Sequence, residues 1–124
     1  MNLELTDEQT QLRDTVRHWC ADRAGIADHV RPLLDDPTGT TDAVWRELAG
    51  LGATGVLVPE ELGGAGLTMV EAGVVAEELG AGLHPGPWLP TAITAPRILA
   101  RLRGADRENV DALLTGIADG SSRT

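Results

Sequence analysis

The most informative stretch of the chain is residues 44–80, with the sequence VWRELAGLGATGVLVPEELGGAGLTMVEAGVVAEELG. Both of its ends carry apolar residues at helical spacing. Its centre holds the apolar run 55–58, then Pro59, then three glycines among residues 63–66. Proline stops regular structure, and glycine permits backbone torsions that other residues avoid. The stretch therefore predicts two helices joined by a buried crossing segment and a tight reversal.

Capping signals place the starts of two helices. Residues 6–9 (Thr-Asp-Glu-Gln) and 68–71 (Thr-Met-Val-Glu) both have capping-box spacing, in which a threonine hydroxyl and a Glu or Gln side chain bond each other's backbone amides. The first box predicts a helix that runs to about Ala24-Gly25. The second predicts a helix whose end is marked by Gly80 and Gly82.

The remaining elements follow from proline, glycine and single caps. Residues 28–40 contain prolines, a glycine and several acids, so they predict a loop with a short helical turn at its start. A second helix begins near Thr41-Asp42, and Asp106 caps a fifth. The fourth helix follows the proline-rich segment 84–90 and contains Pro96, which is expected to kink it or delay its start. No run alternates apolar and polar residues over the length of a strand, so the predicted class is all-α with about five helices.

Each predicted helix carries an apolar stripe that needs a partner surface. With three Trp and neither Phe nor Tyr, the core depends on aliphatic residues and a few large indoles. The stripe residues are Leu12, Val16, Trp19, Cys20, Val44, Trp45, Leu48, Leu51, Val70, Val74, Val75, Leu79, Ile93, Ile98, Leu99, Leu102, Val110, Leu113, Leu114 and Ile117, with Trp88 just before the fourth helix.

Composition excludes several classes of function. Nineteen acidic and ten basic residues give a net charge of −9, which repels nucleic acid and anionic membrane surfaces. No stretch has the roughly 20 apolar residues of a membrane span, and residues 1–9 do not resemble a signal peptide. The single cysteine, Cys20, cannot form an internal disulfide. These features predict a cytoplasmic protein of one domain, residues 1–124.

Four glycine-loop residues invite a phosphate-binding hypothesis. Gly63-Gly64-Ala65-Gly66 precedes a helix whose first backbone amides can hold an anion. A P-loop needs a lysine after the glycines, and a dinucleotide fingerprint needs a preceding strand. The chain has neither feature, so a structural turn is favoured over a phosphate cradle.

The titratable residues do not form a recognisable catalytic or metal site. His18, His29 and His84 are scattered, so they predict surface or loop histidines and no metal centre. Cys20 lies on the apolar side of the first helix, where a thiol is more often a core residue than a nucleophile. Adjacent acids such as Glu77 and Glu78 point about 100° apart on a helix, so they do not converge on a substrate. Glu77 is expected to be solvated and Glu78 partly buried.

The order of these motifs resembles the N-terminal helical domain of acyl-CoA dehydrogenases. The similarity covers essentially the whole chain, from the helix of residues 5–23 to the final IADGSSRT, and its specific part is residues 44–80. There it is carried by Trp45…Leu48…Leu51-Gly52, Val58-Pro59-Glu60-Glu61, Gly63-Gly64…Gly66-Leu67 and Ala76-Glu77-Glu78-Leu79-Gly80. The resemblance implies a five-helix orthogonal or up-down bundle.

The resemblance also implies a reaction and a cofactor. Members of this family oxidise the Cα–Cβ bond of an acyl-CoA thioester, where a Glu removes the α-proton and the β-hydrogen leaves as hydride to FAD. The flavin contacts come mainly from a middle β-domain and a C-terminal helical domain, and the catalytic Glu lies beyond residue 124. We therefore expect no catalytic, cofactor-binding or metal-binding residue in this piece, which alone is inactive and holds no FAD.

The resemblance assigns the N-terminal domain a wall of the acyl pocket. That wall maps to Trp88, Leu89, Thr91, Ala92 and Ala95. The segment Pro85-Gly86-Pro87-Trp88-Leu89-Pro90 departs from straight-chain members and is similar to members that act on steroid side chains or other bulky acyl groups, often as pairs of unlike subunits. A purely structural role, in which Trp88 and the prolines only fix the start of the helix, remains an equal alternative.

The implied partners are acyl-CoA, the remaining dehydrogenase domains, like or unlike dehydrogenase subunits, and electron-transfer flavoprotein or a similar acceptor. The competing hypothesis is a non-catalytic helical binding or assembly subunit that retains only this domain. Flavin in the purified protein and its complexes discriminates between the two. The motifs do not choose between fatty acid and steroid side-chain oxidation.

Overall fold

The structure, a computed structural model, describes residues 2–123, and that part of the chain contains helices and no strand. The prediction of an all-α fold with about five helices is therefore confirmed. The α-helices are α1 (Asp7–Arg23), α2 (Asp42–Gly50), α3 (Met69–Ala81), α4 (Ala95–Leu102) and α5 (Arg107–Asp119). Short turns of 3₁₀-helix lie at Arg31–Leu33 and Glu60–Leu62, and turns of π-helix at Ile26–Val30 and Leu89–Thr94.

The predicted helix starts are confirmed by their caps. The Thr6 hydroxyl accepts from the Gln9 amide at 3.2 Å, and the Gln9 side chain accepts from the Thr6 amide at 2.9 Å. Thr68 and Glu71 form the second capping box, at the start of α3. The remaining single caps are Thr41 for α2 and Asp106 for α5. Each cap gives a partner to a backbone amide that the first helical turn leaves unpaired.

The segment between α2 and α3 forms a compact reversal. The amides of Ala65 and Leu67 donate to the carbonyls of Gly55 and Val56, each at 2.9 Å. Val56 and Val58 are fully buried, as expected of the apolar crossing segment. A Cβ at Gly64 would lie 2.0 Å from the Val58 carbonyl oxygen, so only glycine fits there.

Two hydrophobic clusters make up the core. The larger joins α1, α2 and α3 with residues 53–56 and Trp88, and it includes Val16, Trp19, Cys20, Trp45, Leu48, Val75 and Leu79. The smaller packs α5 against Val58 and includes Val110, Leu114, Ile117 and Ala118. Helices α1 and α3 are also joined by Arg17, whose guanidinium donates to both carboxylate oxygens of Glu78 at 2.8 and 3.0 Å.

The predicted stripes extend beyond the core. Val70 in α3, Ile98 and Leu102 in α4, and Leu113 in α5 are each half exposed or more. The partner surface that these four stripe positions need is therefore not supplied within the described residues. The fold has too few layers to cover both sides of α4 and the outer edges of α3 and α5, because one side of each already packs on a cluster.

The histidines also differ from expectation. His29 lies at the start of the predicted loop 28–40, on the π-helical turn Ile26–Val30, but it is only 8% exposed and therefore not a surface residue. His84 lies in a loop, as predicted, but both of its ring nitrogens are buried. The burial comes from contact between segments that are more than 50 residues apart, which helical periodicity does not report.

Candidate functional site

The segment that leads into α4 is held in place by Trp88. Its side chain is only 4% exposed, and the indole N–H donates to the carbonyl of Ala53 at 2.9 Å inside the protein. That bond joins the start of the fourth helical region to the segment after α2. Pro85, Pro87 and Pro90 surround Trp88 in sequence and restrict the backbone on both sides of it.

A π-helical turn then connects this segment to α4. Within the turn the Ala95 amide donates to the carbonyl of Pro90, five residues back. Pro96 has no amide hydrogen, so the carbonyl of Ala92 cannot receive the usual α-helical bond from that position. Regular α-helix starts at Ala95, one residue before Pro96, and this agrees with the predicted delayed start.

The five predicted pocket residues fall into three different environments. Trp88, Thr91 and Ala92 are buried in this chain, and Thr91 and Ala92 have no exposed surface. Leu89 is 59% exposed. Ala95 is half-buried and packs against the α5 cluster, away from the core that contains Trp88.

Trp88 and Leu89 do meet at a shallow groove, which we call the Leu89 groove. Its lining residues are Ala76, Leu79, Gly80, His84, Gly86, Trp88 and Leu89. None of them except His84 is ionisable, and the burial of His84 lowers its pKa, so the lining is uncharged at neutral pH. Such a surface suits an apolar chain and does not suit an anion.

The α3 side of this groove was missed by sequence reasoning. Ala76, Leu79 and Gly80 come from the last turns of α3. Gly80 was interpreted only as a helix-stop signal, yet it lies within α3 and leaves room at the groove. The sequence feature that could have indicated this side of the groove is the run of small residues at 80–82, which places little side-chain volume opposite Leu89.

The glycine loop does not present free amides to a phosphate. The amides of residues 63–67 donate to backbone carbonyls of residues 55–60 at 2.9 to 3.0 Å. Gly63 and Gly66 have positive φ values of 90° and 63°, which serve the reversal. The interpretation as a structural turn is confirmed, and these residues do not fit the phosphates of a flavin nucleotide.

The carboxylates and the thiol are engaged in structure. Glu77 is exposed, as predicted, whereas Glu78 is buried more completely than the partial burial that was expected. The Glu78 carboxylate is held by Arg17, so it is not positioned as a free base. Burial and the nearby Glu78 charge raise the pKa of the Cys20 thiol, which keeps it protonated and in the core. Within residues 2–123 no three His, Cys, Asp or Glu side chains come together as a metal site would require.

Membrane insertion by a helix is not indicated. Among the helices in the described part of the chain, none combines the length and the apolar character needed to cross a bilayer.

Comparison with known proteins identifies the family. Residues 6–121 match the family model described as "Acyl-CoA dehydrogenase, N-terminal domain". Acyl-CoA dehydrogenase IpdE2 of Mycobacterium tuberculosis is 38% identical over 117 residues, which cover 94% of this chain and 35% of that protein. Benzylmalonyl-CoA dehydrogenase of Aromatoleum aromaticum is 37% identical over 82 residues, 66% of this chain and 21% of that protein.

A solved structure agrees with the sequence comparisons. A variant of the "Tcur3481-Tcur3483 steroid ACAD" superposes with a TM-score of 0.78 and 34% identity, over 94% of this chain and 31% of that one. The chain therefore belongs to the acyl-CoA dehydrogenase family and has the fold of the family's N-terminal domain. It spans about a third of the length of these matched proteins, or less.

Proposed function

We propose that this chain serves as the N-terminal helical domain of a flavin-dependent dehydrogenase that forms a Cα–Cβ double bond in an acyl-CoA thioester. The observation that carries the proposal is the match of residues 6–121 to the family's N-terminal domain. We assign the catalytic base and the FAD site to other parts of the enzyme, because the Glu78 carboxylate is held by Arg17 and the amides of residues 63–67 are used by the backbone reversal. FAD, when bound there, accepts the hydride.

Within that enzyme, the Leu89 groove contributes part of the wall of the acyl pocket. Leu89 is the predicted pocket residue with the largest exposed surface, and its neighbours on α3 are small or aliphatic. Thr91 and Ala92 support this wall from behind, because their side chains are buried in the domain, and Trp88 is mostly buried although it borders the groove. They act as positioning residues, and Ala95 fixes the start of α4 against α5.

The substrate class and partners remain part of the proposal. A bulky acyl group, such as a steroid side chain, is favoured by the stiff proline segment before Leu89, and one similar structure carries the word steroid in its name. We further propose assembly with like or unlike dehydrogenase subunits in the cytoplasm, and transfer of electrons to electron-transfer flavoprotein or a similar acceptor.

Flavin content and dehydrogenase activity test the proposal. The chain should be expressed from its natural coding frame with an N-terminal tag, purified with any copurifying polypeptides, and assayed for flavin absorbance and acyl-CoA-dependent reduction of an electron acceptor. Activity and flavin are expected in a longer product or complex and not in residues 1–124 alone. Flavin and activity in the 124-residue chain by itself contradict our assignment of both sites, and a flavin-free, inactive complex favours the non-catalytic assembly subunit.

Substitution at Leu89 tests the pocket wall in that active enzyme. Leu89→Trp adds bulk at an exposed position, so it is expected to raise KM several-fold for bulky acyl-CoA substrates while kcat for short ones stays near wild type. Leu34→Trp is the matched control, since Leu34 is 76% exposed and lies outside the groove. Equal kinetic effects of the two substitutions contradict a pocket role for Leu89.

A further inference from the structure

Two histidines stack against each other, and three of their four ring nitrogens are buried without a hydrogen-bond partner in the described part of the chain. The rings of His29 and His84 lie 6.3 Å apart between centroids and are inclined by only 18°. Nε2 of His29 and both ring nitrogens of His84 are buried, and within residues 2–123 none of the three has a hydrogen-bond partner. The ring centroid of Trp19, which belongs to α1, lies 6.3 Å from that of His84. Such buried polar atoms are rare in proteins and call for a physical explanation.

The pair lies where two distant loops meet. His29 belongs to the segment 26–40, and His84 belongs to the segment 83–88, which leads into the Leu89 groove. A Cβ at Gly39 would lie 2.4 Å from the carbonyl oxygen of Pro85, and a Cβ at Gly86 would lie 2.8 Å from Nε2 of His84. The backbone of Gly39 is therefore in direct contact with that of Pro85, and Gly86 lies directly against the His84 ring.

Among the described residues, no carboxylate contributes to the pKa shift of either ring. Burial and the charge of His29 lower the pKa of His84 to about 4, and burial also lowers the pKa of His29. On the neighbouring elements, the Glu78 carboxylate is bound by Arg17 and Asp28 is exposed. Cys20 on α1 is protonated. A proton added to the His84 ring, whose two nitrogens are buried, would therefore find no counter-ion among these groups.

We propose that the His29–His84 pair is an acid-sensitive latch: the neutral rings hold segment 26–40 against segment 83–88, and protonation separates the two segments. The evidence for the latch itself is the contact between these two segments, and it does not depend on the proposed function. Its consequence for substrate binding rests on the proposed function, because His84 is also a wall of the Leu89 groove.

The direction of the pH effect follows from the lowered pKa values. The folded state prefers neutral rings, so the full stabilisation is present above the ordinary histidine pKa of about 6.5. It is lost as the pH falls from there towards about 4, where His84 titrates in the closed state. Over that window each pH unit is expected to favour the open state about tenfold for each ring that protonates.

Imidazole titration by NMR on the unmodified chain is the first test. The signals of His29 and His84, two of the three histidines in the chain, are expected to titrate below the ordinary histidine pKa of about 6.5 and to shift together as the pair separates. Titration of both rings at the ordinary histidine pKa would overturn the proposal, and this result needs no variant.

Hydrogen exchange then separates a latch from general acid unfolding. The pH is lowered from about 7 to about 5, and the protection factors of the backbone amides are corrected for intrinsic exchange rates. Below the ordinary histidine pKa, the factors for residues 26–40 and 83–88 should fall roughly tenfold per pH unit, whereas those for α2 and α5 should change little. His18→Gln should behave as wild type, whereas His84→Leu should remove most of the pH dependence in both segments. Loss of protection spread evenly over all helices, or an unchanged response in His84→Leu, would refute the latch.

Discussion

At the scale of single residues, two tryptophans connect the parts of the core that aliphatic side chains cannot span. Trp45 is almost completely buried between α2 and the rest of the larger cluster. Trp88 fills the space between the segment after α2 and the start of the fourth helical region, and its indole N–H pairs with Ala53. With no Phe or Tyr in the chain, no other side chain has comparable volume at these places.

Trp88 is consequently expected to be a major contributor to stability. Trp88→Ala should lower the free energy of unfolding by about 3–5 kcal/mol, because it leaves a large cavity. Trp88→Phe keeps most of the packing but leaves the buried Ala53 carbonyl unpaired, at a cost of about 1–3 kcal/mol. Leu89→Ala, at the adjacent exposed position, should change stability by less than about 0.5 kcal/mol. Urea unfolding measures all three, and similar losses for Trp88→Ala and Leu89→Ala would contradict this role.

At the scale of elements, the reversal before α3 depends on close backbone contact. Residues 63–67 bond back to residues 55–60 through amide and carbonyl groups. Gly64 makes this possible, since any side chain there would overlap the Val58 carbonyl. The same contact keeps Val58 buried between the reversal and α5.

Two glycine substitutions test this explanation in opposite directions. Gly64→Ala places a methyl group where the Val58 backbone lies, so we expect a loss of several kcal/mol or failure to fold. Gly73→Ala, in an exposed and open position inside α3, should stabilise the chain by about 0.5–1 kcal/mol through better helix propensity. Thermal unfolding followed by circular dichroism gives both values. A harmless Gly64→Ala would mean that the reversal is not close-packed in solution.

At the scale of the whole molecule, the chain leaves apolar helix faces uncovered. Ile98 and Leu102 lie one turn apart on the outer side of α4, and each is about half exposed. Leu89 and Leu113 are exposed on the elements before and after α4. Patches of this kind mark surfaces that pack against other domains or proteins. They fit a chain that spans only about a third of its matched relatives.

We therefore expect the 124-residue chain to self-associate. Light scattering should give a mass above the 13.0 kDa of one chain at micromolar concentration. Replacing Ile98 and Leu102 together by Glu should restore a monomer, because two charges then occupy the exposed face of α4. Leu34→Glu is the control, since Leu34 is exposed but lies far along the chain from α4. A stable monomer of the unmodified chain would contradict this expectation.

Local chemistry made much of the fold predictable. The capping boxes at Thr6 and Thr68 act within four residues, so the helix starts could be derived from the sequence. The same holds for Pro96, whose missing amide acts one turn away. The candidate site was harder to predict from the sequence, because the groove combines α3 with residues 84–89. The hydrophobic periodicity of one element does not report which other element packs beside it.

The sequence by itself determined the helical class, the capped helix starts, the reversal at Gly63–Gly66 and the family, because each depends on interactions between near neighbours or on ordered motifs. Tertiary structure alone decided which apolar positions are buried. It placed Thr91 and Ala92 inside and Leu89 outside, and it brought His29 against His84 across more than 50 residues. Burial depends on which surfaces meet after the helices pack, and helical periodicity specifies a face without specifying its partner.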